Sequence, residues 1–178
     1  MIKHIKKETL VTSEWSGGTT TQLYIYPESG DYKTLNFDFR LSTATVDLET
    51  SNFTKLPGIN RLIMSLDNAL SLTHNDGQMI DLRPFEVDRF KGDDETISFG
   101  RVTDFNVMFN DCYDAEMKRI ESEVIKTDMT CLYAYEEATD IMIKDEAYHL
   151  EVGELLIIMD KTDVSVKEPV IWVQLNKK

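Results

Sequence analysis

The sequence predicts an all-β protein in which one β-unit is duplicated, giving two packed antiparallel β-barrels or sandwiches. Two observations carry this. Short runs of β-branched and aromatic residues, alternating with polar ones, recur along the chain between turn residues. In addition, Leu62–Phe90 resembles Leu132–Ile158 at an offset of 68 or 69 residues with one gap. Each stretch reads strand, turn, strand, acidic turn, a lone leucine (Leu82 or Leu150), a Pro- or Gly-bearing corner and a strand. A period this long, built from short strands, implies a duplicated β-unit rather than a solenoid. Closing each unit into a barrel removes open sheet edges. The first barrel is assigned to residues 1–110 and the second to 111–178.

In chain order, Gln22–Tyr26 alternates polar and apolar residues and stops at Pro27. Phe37–Val46 is a period-two strand with two unlike faces: Phe37, Phe39 and Leu41 on one, Asp38, Arg40, Ser42 and Ala44 on the other. Periodicity alone favours a solvated second face, although the small Ser42 and Ala44 leave room beside Arg40 for a cavity. Pro57-Gly58 punctuates a connection, and Arg61 opens a strand through Leu66. Leu70–Thr73 and Met79–Leu82 form a hairpin across Asn75-Asp76-Gly77, where Asp-Gly is a strong turn signal. Phe85–Phe90, Thr96–Phe99 and Phe105–Phe109 read as further strands. Met117, Ile120 and Val124 give Asp114–Lys126 helix-like spacing, which is the minority reading there.

Composition narrows the function. Of 178 residues 42% are hydrophobic and 29% charged, enough for a sizeable core. With 19 Lys and Arg against 32 Asp and Glu, the net charge is −13, which repels phosphate backbones and anionic lipid. No nucleic acid and no membrane is expected as a partner. The basic N-terminus lacks the apolar run of a signal peptide, and no stretch nears the about 18 apolar residues of a membrane span. Two cysteines without a CxxC pattern suit a reducing compartment, so a cytoplasmic protein is expected, with Cys112 and Cys131 as buried thiols.

The most concentrated polar stretch is Trp15-Ser16-Gly17-Gly18-Thr19-Thr20-Thr21-Gln22, where two glycines allow close backbone approach and four hydroxyls and an amide offer hydrogen bonds. Together with Phe37-Asp38-Phe39-Arg40-Leu41-Ser42, with Phe53 to Arg61, and with Asp104-Phe105-Asn106-Val107-Met108, it resembles the HutD/Ves family of bicupins. The four blocks cover residues 1–110; the remainder matches only by its repeated strand pattern. Members typically carry one more Asn and a third Gly after the Trp, a Glu in place of Gln22 and a Trp in place of Phe39. The resemblance implies a double cupin without metal or other cofactor, holding one small-molecule pocket in its N-terminal barrel. It further implies a link to the regulation of histidine breakdown through a formylated amino acid such as N-formylglutamate.

The residues bear on the chemistry independently. His4, His74 and His149 lie far apart with no His-x-His pair, so no metal site is expected. No Gly-x-Ser-x-Gly elbow exists, and neither cysteine has a motif linking it to a base. An anionic ligand on this acidic chain needs a local cation, and arginine suits a carboxylate through paired hydrogen bonds. Arg40, mid-strand, is the candidate clamp, with an internal pair to Asp38 or Asp104 as the alternative without ligand. Thr20, Gln22, Ser42 and Asn106 lie on polar strand faces and would orient the ligand, with Trp15 and the Gly17-Gly18 turn closing the rim. The reading is a non-catalytic binder of a small carboxylate-bearing metabolite. A metal-independent isomerase or epimerase would need a titratable group in the same cavity. A scaffold without ligand would have its first barrel filled and would use an exposed sheet for a homodimer.

Overall fold

Alternation of side chains with period two runs through nearly the whole sequence, and the chain folds accordingly into nineteen strands. The computed structural model describes residues 1–178. In order they are β1 (Ile2–Ile5), β2 (Val11–Trp15), β3 (Gly18–Tyr26), β4 (Phe39–Val46), β5 (Thr50–Asn52), β6 (Ile59–Ser65), β7 (Leu70–His74), β8 (Ile80–Leu82), β9 (Val87–Lys91) and β10 (Thr96–Phe99). There follow β11 (Val102–Asn110), β12 (Tyr113–Ile120), β13 (Glu123–Thr127), β14 (Thr130–Tyr133), β15 (Thr139–Ile143), β16 (Glu146–Leu150), β17 (Leu155–Ile158), β18 (Thr162–Val166) and β19 (Val170–Lys177). A single 3-10 turn, Lys7–Thr9, is the only helical element.

Val11–Asp114 forms one compact unit. It holds a six-stranded sheet in the order β2-β3-β4-β11-β6-β9 and a four-stranded sheet in the order β5-β10-β7-β8. Between β7 and β8, Asn75 and Asp76 take positive φ values of 52° and 55° at the centre of a turn that the Gly77 N–H closes by donating to the His74 carbonyl at 2.8 Å, so Asn-Asp rather than Asp-Gly is the central pair. One apolar cluster gathers Val46, Ile63, Leu70, Leu72, Leu82, Phe90 and Val102. A second gathers Ile25, Phe37, Leu56, Ile59 and Met108.

Cross-strand register places the polar residues of the larger sheet in rows. Met108 of β11 lies opposite both Arg40 of β4 and Arg61 of β6. Asn106 lies opposite Ser42 and Ile63, and Asp104 opposite Ala44 and Ser65. Alternate residues of a strand share a face, so three adjacent strands present one patch of two guanidiniums, an amide and a carboxyl. Both faces of β4 are buried. Phe39 is fully enclosed, stacked on Tyr26 at 5.0 Å and edge-on to Tyr113 at 5.6 Å, while Arg40 on the opposite face is only 6% exposed. The solvated face favoured by periodicity is therefore an interior one.

Met1–Leu10 and Ala115–Lys178 form the other unit. The first ten residues thus leave the 1–110 barrel, because β1 pairs with β17 through Ile2↔Ile158 to Ile5↔Leu155. Glu154 fixes this pairing from within. Buried, it accepts hydrogen bonds from Lys6 Nζ at 3.2 Å and from the Glu151 N–H at 3.1 Å, and it meets His4 Nε2 at 2.8 Å. The sheets here run β1-β17-β14-β19-β12 and β13-β18-β15-β16. Read from β12, the first repeats the order β4-β11-β6-β9, and the second repeats β5-β10-β7-β8. Asp114–Lys126 is strand rather than helix: Tyr113, Ala115 and Met117 are buried while Glu116 and Lys118 are exposed, a period of two.

Candidate functional site

A cavity of about 340 Å³ opens over the three rows of the six-stranded sheet. Its walls include Arg40, Ser42, Arg61, Asp104 and Asn106, with Ser13, Trp15 and Thr20 from β2 and β3 and Tyr32, Ser51 and Phe53 from loops and β5. Of the residues singled out from sequence, Trp15, Thr20, Arg40, Ser42 and Asn106 line it directly. A barrel filled with side chains, the mark of a scaffold without ligand, is not what β4, β11 and β6 enclose.

Gln22, Gly17 and Gly18 act from outside the cavity. Gln22 Oε1 accepts a hydrogen bond from Arg40 Nε at 2.8 Å, and Arg40 Nη1 donates to Ser42 Oγ at 3.1 Å. The guanidinium also lies 4.4 Å over the Tyr32 ring. Neutral partners therefore hold Arg40, and neither Asp38 nor Asp104 pairs with it; Asp38 accepts from Asn110 Nδ2 at 2.9 Å. A Cβ at Gly17 would run into the Trp15 ring, and one at Gly18 (φ +152°) into the Thr45 carbonyl. The two glycines let the β2–β3 turn close tightly, leaving the Trp15 ring, 40% exposed, at the rim.

Arg61 is the cationic residue that sequence reading passed over. It is 6% exposed, with its guanidinium 4.7 Å over the Phe53 ring and 5.1 Å over the Phe90 ring. Arg61 Nη2 donates to Asn106 Oδ1 at 3.1 Å, and Asn106 Nδ2 donates in turn to Asp104 Oδ1. Arg61 Nε is buried with no partner, as is Ser51 Oγ on the same cavity wall. A signal was present: β4 and β6 each carry Arg and then Ser on one period-two face, and both strands flank β11.

Burial shapes the charges. It draws the Arg61 guanidinium down to about 10, opposed by Tyr32 and Asp104 and reinforced by Arg40. It lowers Arg40 as well. It pushes the Asp104 carboxyl up to about 7, against the pull of Arg61 and the Asn106 hydrogen bond. Two guanidiniums thus face one carboxyl that is half neutral near that pH, and the cavity is positive inside a protein of charge −13. Such a surplus attracts an anion.

The histidines stand apart from this site. His74 meets Asp88 at 2.7 Å and Thr96 at 2.8 Å and stacks on Phe90, and His149 meets Asp140 at 2.7 Å. No group of three or more His, Cys, Asp and Glu side chains is placed to hold a metal ion. Cys131 is buried, and burial pushes its thiol up to about 12, whereas Cys112 is exposed on the turn before β12 rather than buried as the sequence suggests. No helix is long and apolar enough to cross a membrane.

The second unit has the same strand order without this interior. By strand register Thr130, opposite Gln174, stands in the place of Arg61, opposite Met108, and Trp172, opposite Leu132, in the place of Asn106, opposite Ile63. Trp172 joins Leu132, Ile141, Leu156 and Ile158 in an apolar cluster, and Lys118 Nζ lies 5.0 Å over its ring.

Known proteins share this architecture. The chain matches HutD from Pseudomonas fluorescens SBW25, in a formate condition, with a TM-score of 0.82 and 20% identity over 100% of both chains. A conserved protein of unknown function from Pseudomonas aeruginosa PAO1 matches with a TM-score of 0.84 and 20% identity, again over 100% of both. An oxalate decarboxylase variant of B. subtilis matches with a TM-score of 0.67 and 7% identity, over 98% of this chain and 77% of that one. No curated protein matches the chain by sequence. The HutD family model matches residues 7–171, and with its two repeated β-units the chain belongs to the HutD family of double cupins.

Proposed function

We propose that this protein binds a small carboxylate-bearing metabolite in the Arg40–Arg61 cavity without turning it over. The ligand is of N-formylglutamate type, and the role is regulatory, in cytoplasmic amino-acid (histidine) utilisation. The observation that carries the binding reading is the charge inside the cavity: two buried guanidiniums, neither bonded to a carboxylate, share one carboxyl between them. The family membership supports the regulatory part. Arg40 clamps the carboxylate, Ser42, Thr20 and Asn106 orient the ligand, Gln22 holds the clamp and Trp15 covers it. Calorimetric titration of N-formyl-L-glutamate into the full chain tests this. Binding by the native protein and none by Arg40→Ala, with an unchanged circular dichroism spectrum, is the expected result. Equal affinity in the two proteins removes the clamp.

Asp104 favours a second reading, a metal-independent isomerase or epimerase, because a carboxyl held near neutral pH in the same cavity is suited to act as a general base. It would take a proton from the carbon next to the ligand carboxylate, leaving a carbanion beside the guanidiniums; a water on the other face would supply the returning proton, and the Asp104 proton would pass to solvent. Deuterium entering that position of N-formyl-L-glutamate in heavy water, and no longer entering it with Asp104→Asn, would establish turnover. Its absence leaves binding alone.

A further inference from the structure

We propose that the cavity takes up a dicarboxylate together with one proton, and that the proton goes to Asp104. This rests on the carboxylate reading above, whose N-formylglutamate-type ligand already bears two carboxylates, and adds the proton on Asp104 and with it a pH control.

The geometry makes Asp104 the one adjustable charge of the site. The side chain is 3% exposed and lines the cavity. On its own strand Asn106 Nδ2 donates to it; across β4 it faces Ala44, and across β6 it faces Ser65, both neutral. Ser65 Oγ is turned to the Asn68 carbonyl. The charged groups acting on Asp104 are Arg61 of β6, which lowers its proton affinity, and Asp67 just after β6, which raises it. Arg40 of β4 completes the cationic pair two rows along. The Arg61 guanidinium reaches Asp104 only through the amide of Asn106, bonded at Oδ1 by the arginine and donating from Nδ2 to the carboxyl. The counter-charge of Arg61 is therefore indirect, and Asp104 already sits near its midpoint at neutral pH.

Charge balance then selects the ligand. With Asp104 ionised, two guanidiniums and one carboxylate leave room for one further negative charge. With Asp104 protonated they are balanced by two. Arg40 and Arg61 lie two strands apart, so about 10 Å separates their backbones, enough for each to receive one end of a short diacid. A dianion entering the buried site repels an ionised Asp104 and draws a proton onto it, giving a neutral carboxylic acid that still accepts from Asn106. Affinity consequently weakens as pH rises above the midpoint of the empty site, and ligand is released as the surroundings turn alkaline.

Calorimetry on the full chain with glutarate, and with pentanoate, in which a methyl replaces one carboxylate, tests this in two buffers of unlike ionisation enthalpy. Glutarate should bind at least about tenfold tighter than pentanoate. Its heat should report uptake approaching one proton at about pH 8 and little at about pH 6, with affinity falling up to about tenfold per pH unit above about 7. Asp104→Asn should bind glutarate with no proton uptake. Glutarate binding without proton uptake at the higher pH, proton uptake retained in Asp104→Asn, or equal affinity for pentanoate overturns the proposal and leaves the carboxylate reading standing. No binding of either acid at either pH overturns both. The two-buffer comparison on the native protein decides even where the variant fails to fold.

Discussion

Gln22→Glu is the most revealing single change, because it should raise stability and lower affinity together. Gln22 Oε1 accepts the hydrogen bond of Arg40 Nε at 2.8 Å, so a carboxylate there meets the guanidinium in the same geometry. Opposite charges about 4 Å apart attract by about 4 kcal/mol at an effective dielectric constant of about 20. Much of that is offset, since the neutral hydrogen bond already contributes about 1 kcal/mol and a half-buried carboxylate loses hydration. A net gain of about 1 kcal/mol remains, or a Tm about 3 °C higher for a chain of this size. For an anion in the cavity, about 7 Å from the new charge, the same arithmetic gives about 2 kcal/mol of repulsion, an affinity about thirtyfold lower. Differential scanning calorimetry reads the first effect, and titration with N-formyl-L-glutamate the second. A lower Tm, or affinity unchanged or improved, would refute the claim that Arg40 is held by a neutral partner so that its charge stays available.

Other consequences follow from groups held away from their usual titration. Asp104, raised by burial to about 7 in the folded chain, holds its proton more tightly there than in the unfolded one. The stability this lends is complete below the ordinary carboxylate range and disappears as pH rises through about 7, amounting to about 4 kcal/mol. Asp104→Asn should flatten that stretch of a denaturant-midpoint profile, and a native profile already flat there would count against the buried carboxyl. Glu154 behaves oppositely: burial opposes its charge, but bonds from the Glu151 N–H, His4 and Lys6 prevail and hold it below the usual range. Its contribution is present above that range and vanishes as pH falls through the lowered value, so Glu154→Ala should cost about 2 kcal/mol at neutral pH. Hydrogen exchange should then accelerate first at Ile2–Ile5. A thiol reagent should label Cys112 alone in the folded protein, with Cys131 reacting only on unfolding. Gly17→Ala should push the Trp15 ring off the rim and shift its fluorescence.

How much of this was legible beforehand depends on how local each signal is. The Asn75-Asp76-Gly77 hairpin, the Thr96–Phe99 strand and the duplication could be read from short stretches, because turn chemistry and period-two alternation act over a few residues. The side to which Arg40 turns could not. A strand with Phe39 and Leu41 on one face and Arg40, Ser42 and Ala44 on the other looks alike whether the polar face meets water or a cavity. Deciding that took the rows formed by β4, β11 and β6, whose partners lie tens of residues apart. Arg61 was missed for the same reason: its meaning comes from standing across Met108 from Arg40, not from its neighbours in sequence. The place of the first ten residues likewise depends on a strand near the other end of the chain.

The two β-units supply the remaining argument for where function resides. They share a strand order, so the scaffold itself does not require a polar interior. In the second unit, Trp172 packs among leucines and isoleucines, with its indole N–H buried without a partner. The first unit has Asn106 at that position, flanked by Arg40, Arg61 and Asp104, with the Arg61 Nε and the hydroxyl of Ser51 buried without partners. Each such group costs about 1–3 kcal/mol, and buried charges of this kind can often be exchanged for apolar side chains with a gain in stability. Two guanidiniums and a carboxyl kept in one copy of a duplicated barrel, where the other copy holds an apolar cluster on the same topology, are what the proposed binding of an anion accounts for.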